Sequence, residues 1–161
     1  MGKIKEGLGT LISNAGEYYV MAELLKRGYI AALAPRNAPA FDILATSPEK
    51  MVRIRVKTKS EEYDAWQWGI KKDGKIFRFL QEKEDFTILV NLAVDIKNMK
   101  YYIIPTPLLN TWLFDDFTDW INTPGRNGRL HSKENTKRNL SFNMHTDDLE
   151  KHKDNWNILW L

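Results

Sequence analysis

Two short runs around one turn constrain this chain more than any other segment. They are Phe41-Asp42-Ile43-Leu44-Ala45 and Met51-Val52-Arg53-Ile54-Arg55-Val56-Lys57, joined by Thr46-Ser47-Pro48-Glu49-Lys50. Strand alternation places Val52, Ile54 and Val56 on one face and Arg53, Arg55 and Lys57 on the other. The pattern predicts a β-hairpin with strands at about 40–46 and 51–58. On the leading strand Phe41, Ile43 and Ala45 share a face, and Asp42 points the other way with Leu44. Asp42 therefore faces Arg55 and Lys57 if the register allows.

The flanking sequence predicts a mixed α/β (α+β) chain. A helix is expected from about Thr10 to Arg27, closed by Lys26 and Arg27 in its last turn and by Gly28 at the left-handed C′ position. Ala15, Tyr18, Ala22 and Leu25 form one apolar stripe on it; Glu17, Val20, Met21 and Leu24 form the neighbouring face. Glu17 heads that face as its sole carboxylate, or shares a first-turn capping role with Asn14. A strand at Tyr29–Leu33 and a proline-bearing loop lead into the hairpin. Residues 60–85 read as polar and irregular, with Trp66 and Trp68 either stacking bases or anchoring the core. Strands are expected at 85–94 and 100–105, and helices near 107–121 and 146–153. One domain spans 1–161, with a core at about 10–105 and a C-terminal helical extension at about 106–161.

Composition removes whole classes of chemistry. There is no cysteine, so disulfides, zinc–thiolate sites and cysteine nucleophiles are excluded, and a cytoplasmic location fits. No apolar stretch approaches the roughly 20 residues that span a bilayer. The first seven residues are too polar for a secretory signal. The three histidines lack metal-ligand spacing, and no phosphate-binding glycine loop is present. The net charge of +3 permits a polyanion partner without requiring one. Its distribution says more: Arg126, Arg129, Lys133, Lys137 and Arg138 cluster in 124–140 against Glu134 alone. That stretch is either a solvated basic loop or an arm that contacts DNA phosphates.

Glu17 on the first helix, Asp42 on one strand and Lys57 ending the next resemble the PD-(D/E)XK superfamily, the restriction-endonuclease-like nucleases. The run Gly16-Glu17-Tyr18-Tyr19-Val20-Met21-Ala22-Glu23-Leu24-Leu25-Lys26-Arg27-Gly28 looks like the Glu-bearing helix of the resolvase-type members. Phe41-Asp42-Ile43-Leu44 looks like the strand that carries their Asp. Ile54-Arg55-Val56-Lys57-Thr58 looks like the strand that usually ends acid-x-Lys or Gln-x-Lys. The resemblance implies a mixed β-sheet flanked by helices, a DNA partner, often a homodimer, and Mg²⁺ or Mn²⁺ as cofactor. It further implies Glu17, Asp42 and the Val56 carbonyl as metal ligands, with Lys57 as the catalytic lysine that orients or deprotonates water.

Arg55 departs from that pattern by placing a fixed positive charge where a ligand is expected. At about 4 Å and an effective dielectric near 20, two unit charges interact by roughly 4 kcal/mol, and a divalent ion doubles that. A guanidinium could instead pair with Asp42 in the place of the metal. Two functions stay open: a metal-dependent DNA endonuclease, and a catalytically degenerate nuclease-like domain that binds nucleic acid or a protein without cutting.

Overall fold

A computed structural model describes residues 8–161; the readings on Met1 to Gly7 lie outside the described residues. Helix α1 spans Gly9–Lys26. Gly28 closes it with φ 84°, while its N–H and that of Tyr29 reach back to the Leu25 and Leu24 carbonyls at 2.9 and 3.1 Å. This is the glycine-terminated ending the sequence predicts.

The buried face of α1 corrects one expectation. Gly16, Val20 and Leu24 are buried, whereas Tyr18 and Leu25 from the predicted stripe are 63% and 53% exposed. A glycine on the inner face lets the helix approach the sheet where a larger residue would hold it off. Because α1 starts at Gly9, Glu17 also lies well inside the helix, which removes its first-turn capping role.

Five strands form the main sheet: β1 (Ile30–Leu33), β2 (Ile43–Thr46), β3 (Met51–Ser60), β5 (Asp85–Leu92) and β6 (Lys100–Pro105). Their order is β1-β2-β3-β5-β6. The β3–β5 pair is parallel and the other pairs are antiparallel. The hairpin is thus present, with Ile43 opposite Ile54. Val52, Ile54 and Val56 of β3 are buried, and its cations occupy the opposite face. Interior strand β5 is buried along nearly its whole length, without alternation, because both of its faces are covered.

Two layers cover the sheet. On one side α1 meets the buried aliphatic row of β3 and the turn around Trp156 and Leu159. On the other lie helices α2 (Thr106–Asn122) and α3 (Thr146–His152) and a separate two-stranded sheet. That second sheet pairs β4 (Ala65–Gly69) with β7 (Lys137–Ser141). The stretch 60–85 is therefore not wholly irregular. Trp66 and Trp68 turn inward as core anchors, 1% and 7% exposed. The strand went unread because only two inward residues mark it and its partner lies far along the chain. Asp85 is fully buried and paired through both oxygens with Arg53, at 2.7 and 2.9 Å. Among the described residues, no helix is long and apolar enough to cross a membrane.

Candidate functional site

Asp42 precedes β2 and is pinned through its backbone and its carboxylate. Its N–H donates to the Ile54 carbonyl at 2.9 Å, and its own carbonyl accepts from Ala34 at 2.8 Å. Its Oδ2 accepts the Val56 N–H at 2.8 Å. Its Oδ1 lies 3.4 Å from the Arg55 Nη1. The antiparallel register sets this up: with Ile43 opposite Ile54, Asp42 falls beside Arg55, one residue before β2 begins. The contact is a single 3.4 Å approach and not the bidentate clasp open to a guanidinium.

Glu17 and Lys57 flank this pair. Burial raises the Glu17 pKa, the nearby Asp42 charge raises it further, and Arg55 opposes both. Burial also raises Asp42, against the pull of Arg55, the Val56 N–H and Lys57. Burial lowers Lys57, Arg55 and Lys71 lower it further, and Asp42 opposes them. Glu17 thus lies within the electrostatic reach of Asp42 and Arg55, Lys57 within that of Asp42 and Arg55, and each of the three is displaced toward its neutral form.

The polar face of β3 is a row of cations in which each finds a different partner. Arg53 has Asp85, and Arg55 has Asp42. Lys57 has the Trp68 ring, with Nζ 5.6 Å from its centroid. Lys59, 7% exposed, donates to Asn91 at 2.7 Å and sits 4.7 Å from the Trp66 centroid. Among the described residues the Lys57 ammonium has no hydrogen-bonded or ion-paired partner.

Lys59 carries a testable consequence. Burial pushes its pKa down to about 8, from 10.5. Below pH 8 the amine is protonated folded and unfolded, and the fold bears the full cost of the buried charge. From there up to 10.5 the unfolded chain holds the extra proton, so stability rises with pH, by at most roughly 3 kcal/mol. Tyr101 and Tyr102, pushed up to about 12 by burial, act oppositely only above the ordinary tyrosine range near 10. Urea unfolding from pH 8 to 10 should show that rise in the wild type and a clearly shallower one, with higher stability at pH 7, in Lys59→Met, where only the smaller contribution of Lys57 is left. An equal rise in both chains would remove Lys59 as its source.

Sequence reasoning missed Lys71 and Arg78. With Arg55 and Lys57 they line a cleft of about 110 Å³ against Trp68 and Phe77. A tight turn places Lys71: its N–H donates to the Lys75 carbonyl, and Gly74, at φ 77°, donates back to Lys71. The only local signal was a cation-rich run between aromatic residues. Of the basic cluster in 124–140, Arg126, Arg129, Lys133 and Lys137 are exposed. Lys137 stands opposite Gly69, at the rim of the same cleft. Arg138 lies 3.3 Å over the Phe117 ring and donates to the Asn135 and Lys137 carbonyls.

A divalent cation would need oxygen donors that are not already engaged. One Asp42 oxygen holds the Val56 N–H, and Arg55 approaches the other. The Val56 carbonyl leaves on the same strand edge as its N–H. Among the described residues, no group of three or more His, Cys, Asp or Glu side chains could hold a metal ion. In this arrangement both oxygens of the one strand carboxylate are engaged, and a fixed cation stands beside it.

No protein-family model matches the sequence, and no curated protein matches it either. Two solved structures are similar in fold. The bacterial homing endonuclease I-Ssp6803I is 14% identical, with a TM-score of 0.50 over 65% of this chain and 74% of that one. Hjc, a Holliday junction resolvase from Archaeoglobus fulgidus, is 11% identical, with a TM-score of 0.49 over 83% of this chain and 87% of that one. With its five-stranded mixed sheet and flanking helices, the chain has a restriction-endonuclease-like fold, as the resemblance at residues 14–60 implies.

Proposed function

We propose that this protein binds DNA through its phosphates at the Asp42–Lys57 site, with Arg55 in the place a metal ion holds in cleaving nucleases, and that it does not hydrolyse the strand. One observation carries the reading: Arg55 and the Val56 N–H engage both oxygens of Asp42. The surroundings support it. Lys57, Lys71 and Arg78 leave the cleft beside Asp42 positive, Lys137 stands opposite Gly69 of its wall, and Arg126, Arg129 and Lys133 are exposed in the same basic stretch of the chain. An anionic backbone is the partner such a track suits. The homing endonuclease of similar fold is by its name a nuclease, which points to DNA among polyanions.

Hydrolysis with Mg²⁺ is the second reading, supported by the electrostatic coupling of Asp42 to both Glu17 and Lys57. The two readings separate in one pair of assays. Duplex binding in EDTA should weaken with salt at a log–log slope of roughly −5, for about six phosphate contacts. Plasmid and branched DNA should stay intact with Mg²⁺ or Mn²⁺. Salt-insensitive or absent binding overturns the DNA reading. Metal-dependent nicking that vanishes in Asp42→Ala and Lys57→Ala establishes the hydrolytic one.

A further inference from the structure

We propose that the cleft beside β3 receives a phosphomonoester, the terminal phosphate of a nucleic-acid strand, in preference to an internal diester. This rests on the DNA-binding reading above and names the form of DNA that the site selects.

Charge is the first ground. Four cations line the cleft and no carboxylate does. Arg55 is offset by Asp42 at 3.4 Å, and Arg78 by Asp73 at 3.7 Å. Lys57 and Lys71 have no ion pair among the described residues. Two positive charges are left to be met. A phosphomonoester carries about −1.5 to −2 at neutral pH, whereas each internal diester carries a single negative charge. One terminal phosphate matches the surplus; one diester leaves half of it.

Space is the second ground. About 110 Å³ is the room of roughly three to four waters, enough for a phosphoryl group and its oxygens. The walls are buried: Trp68, Phe77 and Leu80 are 7%, 5% and 1% exposed. A strand running past needs an entrance and an exit for its sugars, while a strand end needs only an entrance. Arg55 and Arg78 offer planar forks to phosphate oxygens, and the lysines act as point charges.

The test uses the full chain in EDTA and fluorescence anisotropy on one internally labelled duplex. Its ends carry a 5′-phosphate, a 3′-phosphate or hydroxyl groups only. At least one phosphorylated end should bind about tenfold tighter than hydroxyl ends. Lys71→Gln should remove that preference, weakening binding of the phosphorylated end about tenfold more than binding of hydroxyl ends. Millimolar inorganic phosphate should erase the preference in the wild type.

Equal affinity for all three ends, with Lys71→Gln weakening all alike, overturns the proposal and leaves the DNA-binding reading standing. A preference that survives both Lys71→Gln and Lys57→Gln also overturns it, since the phosphate then sits elsewhere. A mononucleotide that binds as tightly as the phosphorylated duplex end rejects the strand end as the source of the phosphate. Binding of no phosphate-bearing probe overturns both readings together.

Discussion

Arg55→Glu is expected to raise the Mn²⁺ and Mg²⁺ affinity of this protein far above that of the wild-type chain. The substitution removes the cation 3.4 Å from Asp42 and adds a carboxylate beside Asp42 and within the electrostatic reach of Glu17. Oxygen donors in that number and softness suit a hard divalent ion. Even at the dielectric of water, reversing a unit charge about 4 Å from a divalent ion changes its energy by roughly 4 kcal/mol, close to a thousandfold in affinity. Mutual repulsion of three acids before the ion arrives takes back part of this, so a gain of about a hundredfold is expected. Without metal the variant should be less stable by about 1 kcal/mol, because the Arg55 partner is 38% exposed and its ion pair with Asp42 is screened.

Calorimetric titration with Mn²⁺ and a thermal shift that EDTA reverses measure both effects. The gain should vanish in Arg55→Glu/Asp42→Ala. If wild type binds Mn²⁺ as tightly as the variant and loses it in Asp42→Ala, Arg55 does not occupy the cation's place and the non-cleaving reading is wrong. Phosphate binding should move the opposite way in Arg55→Glu, because the cleft loses one positive charge and gains a negative one.

What could be read in the sequence divides by range. The Asp42–Arg55 meeting was legible because a short turn fixes the register of adjacent strands, and register alone decides which side chains face each other. The helix ending at Gly28 was legible for the same reason: its hydrogen bonds are all local. The cleft was not. Lys71 and Arg78 reach Lys57 only because β4 is laid over β3 by its pairing with β7, a contact no local pattern announces. The inner face of α1 was misread because two apolar faces lie side by side, and periodicity cannot choose between them. Trp66 and Trp68 had two readings until the second layer placed them in the core.

What chose between the faces of α1 is the approach of its backbone to β3, and that makes Gly16→Ala the substitution with the largest expected effect on the fold. A Cβ at Gly16 would stand 1.8 Å from the Thr58 Oγ1, 2.9 Å from its Cβ and 3.0 Å from its Cγ2. Rotating Thr58 about χ1 moves the oxygen and the methyl but not the Cβ, so the helix itself must shift. Helix propensity favours alanine by about 1 kcal/mol, and forcing a close-packed contact apart costs about 1–3 kcal/mol or more. We expect a net loss of about 2 kcal/mol, with Glu17 carried away from Asp42 because it is the next residue of the same helix. Gly9→Ala, in the same helix with nothing within 4 Å of the added carbon, is expected to be neutral or stabilising by up to about 0.5 kcal/mol. Urea unfolding of both variants checks the contrast, and Thr58→Ala completes a cycle in which part of the Gly16→Ala loss should be recovered. Equal effects at Gly9 and Gly16, or a cycle without coupling, would mean that the helix is not held by this contact. The position of Glu17 over the site would then need another cause.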